Sequence, residues 1–210
     1  MMKQFLPRYS LIAVYMGSVM FAAACGSPKV SFYLLSPFEE GKTSQSRKSA
    51  TTDPLAVGIG VIRLPQYLER PQIVTRDGSH EMRLDEYHQW AGNLRKNVSR
   101  TLSKNLSILL NTPRVFMAPN IPAGVHVRLD MEVLKFERDA DQHMRLVARW
   151  NLSSGVSRTP FMTRLSSLQG ERVPSETGYE NTVASMSRLL GELSKEIATE
   201  ITKASQLGAD

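Results

Sequence analysis

The sequence predicts one α/β domain: a sandwich of a mixed, largely antiparallel β-sheet packed by two long amphipathic helices. Three observations predict it. Several runs of five to ten residues are rich in β-branched and aromatic side chains, and one of them alternates apolar and polar for eight residues. Two longer stretches carry apolar residues at three- and four-residue spacing, the mark of a helix with one buried face. The whole is 210 residues, 41% hydrophobic and 22% charged, with no internal repeat and no composition break that would mark a second domain.

The elements follow in order. Residues 1–8 carry Lys3 and Arg8 and no acid, and Leu11–Ala24 is an apolar run of about 14 residues, short of the roughly 20 that span a membrane. A basic start, a short apolar stretch and small residues at its end predict that residues 1–24 are a secretory signal; Pro7, Gly17 and the small tail suit a buried helix less well. Ala22, Ala23 and Ala24 lead to Cys25, the sole cysteine, followed by Gly26. This run resembles the bacterial lipobox, with Ala22 where leucine is usual, and implies that Cys25 is acylated and becomes the first residue; ordinary signal cleavage is the competing reading. Acylation also explains a lone thiol in an exported protein, and palmitate-type chains would hold it on a membrane. By similarity to enteric lipoproteins, Gly26 in place of Asp favours the outer membrane.

Residues 25–29 are then the lipidated cysteine and a short tether. Four extended residues reach about 14 Å, so the domain is expected to sit against the bilayer on its periplasmic face, and a partner must come to it. The domain itself covers residues 30–206. Val30–Leu35 predicts a strand; residues 39–53, with no large apolar side chain and balanced charge, a flexible loop. Leu55–Leu64 is a strand whose Gly58 and Gly60 lack the third glycine of a dinucleotide loop. Asp77-Gly78 between two extended runs predicts a hairpin. Trp90, Leu94, Val98, Leu102, Leu106, Leu109 and Leu110 predict a helix of about 20 residues ending before Pro113. A short strand at Arg114–Met117 and strands at Val125–Phe136, Met144–Leu152 and Phe161–Leu168 follow. Val183, Met186, Leu189, Leu190, Leu193, Ile197 and Ile201 predict a last helix of about 25 residues, with Glu192, Glu196 and Glu200 on a solvated face. Residues 207–210 are a tail.

Composition excludes several functions. Without the signal the chain has 24 Lys and Arg against 20 Asp and Glu, and it has no basic run of five, so nucleic acid is not an expected partner. His80, His88, His126 and His143 form no metal-ligand spacing and are expected at the surface. There is no G-x-S-x-G, and the carboxylate pair Glu39-Glu40 lies in the loop. No enzyme activity, metal or cofactor is expected.

The most distinctive stretch is Leu64-Pro65-Gln66-Tyr67-Leu68-Glu69-Arg70-Pro71-Gln72-Ile73-Val74-Thr75-Arg76. Taken alone, it is a well-packed connection whose two prolines end one strand and start the next. With Tyr87 and Trp90 downstream, it is similar to the ABC-type transport auxiliary lipoprotein family, over nearly the whole mature chain. That resemblance implies an outer-membrane lipoprotein that works with an MCE-domain protein to move lipids between membranes and maintain envelope integrity, the ATPase and permease being other chains. A physical role is hypothesised from it: the exposed face docks the MCE protein, with a ring of several copies as one arrangement. Pro65, Tyr67, Leu68, Arg70 and Arg76 are the candidate contacts, exposed Tyr and Arg being common anchors, and the 39–53 loop is a second candidate surface. Outer-membrane lipids are the other expected partner. The competing readings are a carrier that holds a lipid in an apolar cavity of several hundred Å3, and an envelope scaffold or activator of a cell-wall synthase.

Overall fold

In the computed structural model of the chain, the described residues are 29–38 and 55–207. The expected signal, Ala22, Ala23, Ala24, Cys25, Gly26 and the 39–53 loop lie outside them. The elements run β1 (Ser31–Tyr33), β2 (Val57–Arg63), β3 (Gln72–Arg76), β4 (Met82–Trp90), α1 (Leu94–Leu109), β5 (Val115–Met117), β6 (Val127–Arg138), β7 (His143–Ser154), β8 (Pro160–Arg172) and α2 (Gly178–Leu207).

The strands form one open, mixed eight-stranded sheet. Its longest ladders, β6 with β7 and β7 with β8, are antiparallel, as is the β3–β4 hairpin. The parallel pairs are β1 with β4, β2 with β5, and β6 with β2 and β3. They arise where the chain crosses over before rejoining the sheet, since a tight turn can only make antiparallel neighbours. β6 organises the rest. One of its edges carries β7 throughout; the other is shared, with β2 along its first half and β3 at its end.

Alternation places the core on one face. Val127, Leu129, Met131 and Val133 of β6 and Met144, Leu146, Ala148, Trp150 and Leu152 of β7 are buried beneath the helices. Between them lie the polar residues of the open face, where Arg128 pairs with Asp130 (3.1 Å) and Arg149 with Glu132 (3.0 Å). Gly60 belongs to this arrangement: a Cβ there would collide with the Asp130 and Arg128 side chains, which lie across β2. The glycines of β2 thus serve close packing, as the failed dinucleotide spacing led us to expect.

α1 packs on β2 and β5, and α2 on β6, β7 and β8. Leu94, Val98, Leu102 and Leu106 are all but completely buried. The helix starts at Leu94, four residues later than the apolar spacing predicted: Trp90 ends β4, the chain turns through Gly92 (φ 111°), and Asn93 caps the helix by accepting from the Lys96 backbone N–H at 3.1 Å. Trp90 fits the four-residue spacing because its side chain reaches the same core. α2 runs 30 residues and buries all seven of its predicted apolar positions.

One expectation about α2 is corrected. Of the three glutamates expected on its solvated face, only Glu192 is exposed. Glu196 accepts from the Ser166 hydroxyl at 2.6 Å, while that Oγ accepts from Trp150 Nε1 at 2.9 Å; Glu200, 8% exposed, pairs with Arg164 and Lys203. β8 presents polar side chains to the helix, so the helix answers with carboxylates.

After β1, residues 34–38 cross both helices. Asn105 joins the three parts: its Oδ1 accepts from the Phe38 backbone N–H (2.9 Å) and its Nδ2 donates to Ser194 Oγ (3.1 Å). Phe38 lies against Gly191, where any Cβ would meet its ring.

Candidate partner-facing site

The distinctive stretch owes its shape to the sharing of one edge of β6. The chain leaves that edge at Arg63, opposite Glu132, and rejoins it at Thr75, opposite Arg138. Residues 64–71 make the detour. Pro65 (φ −58°, ψ 145°) turns the chain out into a single 3-10 turn over Gln66–Leu68, and Pro71 precedes its return as β3.

The candidate contacts separate into two groups. Leu68 is 3% exposed and belongs to the hydrophobic core, and Tyr67 is half-buried against it. Arg76 reaches along β3 to Glu137 of β6, with Nε donating to Glu137 Oε1 at 2.8 Å and a second nitrogen as close. Glu137 is 1% exposed, and its Oε2 makes no hydrogen bond of good geometry. Burial, and then the neighbouring Glu137 carboxylate, hold the Tyr67 phenol well above the ordinary tyrosine range. The hydrogen bond to Glu137 raises Arg76 further, so it is a permanent cation. Tyr67, Arg76 and Glu137 therefore form a lock beneath the turn, with Leu68 as its apolar peg. Gln66, Glu69, Arg70 and Pro71 face solvent, and Pro65 is partly covered.

The turn adjoins a basic region. Glu69 meets Arg95 of α1 at 3.5 Å, a loose and exposed pair. Arg95 is also part of a groove of about 490 Å3 between α1, β2 and the residues after β5. A second groove, about 660 Å3, lies between residues 32–38 and α2, with Phe32 and Leu34 exposed at its lip.

The histidines divide as well. His80 and His126 are exposed as expected, and His126 Nδ1 accepts from the Ala56 backbone N–H at 3.0 Å. His88 and His143 are half-buried. His88 stacks on Tyr179 with 4.2 Å between ring centres and sits 2.8 Å from the Tyr33 hydroxyl, tying β1 and the start of α2 to β4. Burial and then the charge of Asp85 raise Tyr179 above its ordinary pKa. Among the described residues no group of His, Cys, Asp or Glu could hold a metal ion, and no helix is long and apolar enough to cross a membrane.

Sequence reasoning missed Glu137 and the Arg95 groove. Glu137 lies just past the alternating part of β6, where a bulge resets the pattern. The groove was visible only as an oddity of charge: α1 has four basic residues and no acid.

The fold is that of a transport-accessory lipoprotein domain. Residues 33–198 match the model of the ABC-type transport auxiliary lipoprotein component, and the chain belongs to that family. Among solved structures, an uncharacterized protein superposes with a TM-score of 0.66 at 21% identity, covering 82% of this chain and 99% of its own. Protein XCC0632 from Xanthomonas campestris, of family DUF330, gives 0.59 at 12% identity, covering 87% and 97%. At these identities the likeness speaks for the fold. No curated protein matches the sequence.

Proposed function

We propose that this protein is a non-catalytic lipoprotein, anchored through Cys25 to the periplasmic face of the outer membrane, that docks the MCE-domain component of a lipid-transport system and so supports envelope integrity. Membership of the transport-auxiliary family carries the reading. The lipobox-like run at Ala22–Cys25 supports the anchor, and the short tether supports a receptor held close to its membrane.

The docking contact in this reading is the outer side of the 64–71 turn, led by Arg70 and flanked by Pro65 and Pro71. Tyr67, Leu68 and Arg76 hold that turn in shape from below. A rigid, proline-bounded turn loses little freedom on binding, which favours affinity. The reading extends to a ring of several copies around the end of the conduit, and the oligomer mass of the acylated protein tests that part.

The test is capture of the MCE-domain protein from envelopes by the full-length chain. Arg70→Glu should abolish capture and leave the circular dichroism spectrum and melting temperature unchanged. Full capture by that variant would remove the turn from the contact.

A further inference from the structure

From Tyr87 to Leu129 the chain contains six Lys and Arg and no Asp or Glu. α1 lies inside this stretch and carries Arg95, Lys96, Arg100 and Lys104, whereas α2 carries four glutamates against three basic residues. The two helices of one layer thus differ sharply in sign. The basic one borders the groove of about 490 Å3.

The groove joins two chemistries. Val61, Met117 and Pro119 line it with exposed apolar surface, over the buried core residues Ile59 and Ile62. Arg95, Lys96 and Arg100 stand along its helix side, all exposed. Lys96 and Arg100 have no carboxylate within ion-pair distance among the described residues, and Arg95 has only its loose contact with Glu69. Two cations without a carboxylate partner and a third only loosely paired, beside an apolar trough, suit an occupant with a negative head and a hydrocarbon tail. The larger groove beside α2 does not have this character. Its lining includes Glu180 and Glu192, and its arginine, Arg188, already pairs with Glu171 at 3.0 Å.

We infer that the α1–β2 groove binds a single anionic phospholipid, its phosphate held by Arg95, Lys96 and Arg100 and part of an acyl chain lying on Val61, Met117 and Pro119. The volume lies within the usual range for a small-molecule site. Charge complementarity selects this occupant: a neutral lipid would leave the cations unused, and a free phosphate would leave the apolar floor uncovered. The site stands on its own residues and does not depend on which protein meets Arg70.

Native mass spectrometry of the full-length protein, released from detergent after incubation with phosphatidylglycerol or phosphatidylcholine, tests it. One phosphatidylglycerol per chain is expected, retained at least about tenfold better than phosphatidylcholine, with the preference lost in the double variant Lys96→Glu, Arg100→Glu. Met117→Gln, which keeps every charge, should weaken retention of both lipids. Millimolar inorganic phosphate should not displace the lipid. Equal retention of the two lipids, or retention untouched by the double variant, would overturn the inference. So would displacement by phosphate alone, which would mean a simple anion site, or a dimer mass that disappears in the variant, which would mean a second copy occupies the groove. Arg70→Glu should retain phosphatidylglycerol in full, so failure of docking and failure of lipid binding read out separately.

Discussion

Arg76 and Arg70 are six residues apart in one motif and do different work. The Arg76 guanidinium neutralises a carboxylate that is 1% exposed, so its removal strands a buried charge. Arg76→Ala should cost about 3 kcal/mol in chemical denaturation, the range for breaking one side of a buried pair. Arg70 is exposed and makes no ion pair or side-chain hydrogen bond among the described residues, so Arg70→Ala should stay within about 0.5 kcal/mol of the parent. Near-equal losses for the two would mean that the lock is not there. Sequence alone made both residues contacts because it showed a pair of arginines flanking a proline-bounded turn; it held no sign that Glu137, some 60 positions on, waits for one of them. Tyr67 repeats the lesson: an aromatic in a turn suggests an anchor, but its phenol faces a buried carboxylate.

Elements were legible where their periodicity is set by burial on one face. β6 and α2 have that property, and so both were readable from spacing. α1 was legible in type but not in its start, because Trp90 obeys helical spacing from the end of a strand. The hairpin between β6 and β7 turns on Asp139, which was not legible at all, since its partners come from backbone geometry. Burial alone would raise the Asp139 carboxyl, but the Arg145 hydrogen bond at 2.7 Å and the backbone N–H of His143 at 2.8 Å outweigh it and hold the group below the usual carboxylate range. A carboxylate depressed in the folded state contributes stability that is complete above its unfolded value of about 3.9 and is lost as pH falls through the lower folded value. Asp139→Asn should therefore destabilise the protein at pH 7 and flatten its loss of stability below pH about 4. A variant that parallels the parent across that acid range would contradict the assignment. At the crossing of the helices, Asn105→Ala should cost about 1–2 kcal/mol by leaving the Phe38 N–H and Ser194 short of a partner; a smaller loss in thermal unfolding would mean that residues 34–38 are held mainly by Phe38 on Gly191.

For the whole molecule, the two-layer plan followed from the sequence because helices and sheet each have one apolar side and must cover one another. The open face of the sheet, tiled with Arg–Asp and Arg–Glu pairs, leaves the turn at residues 64–71 and the flank of α1 as the features with directional chemistry. One is a shape made by prolines; the other is a charge asymmetry spread over 43 residues, legible as composition but not as a groove until β2 and β5 are brought beside α1. Family membership joins these features to an ABC-type transport system, and the anchor proposed above would decide how they are presented. If Cys25 carries the acyl chains, the domain is held within a short reach of one membrane and must act as a stationary receptor; if it does not, the protein diffuses and the receptor account fails. Metabolic labelling with an alkyne palmitate, followed by membrane fractionation of wild type and Cys25→Ser, is the direct measurement. The account predicts label and outer-membrane sedimentation for the wild type, and loss of both for the variant. An unlabelled wild-type chain recovered with soluble periplasmic proteins would contradict it.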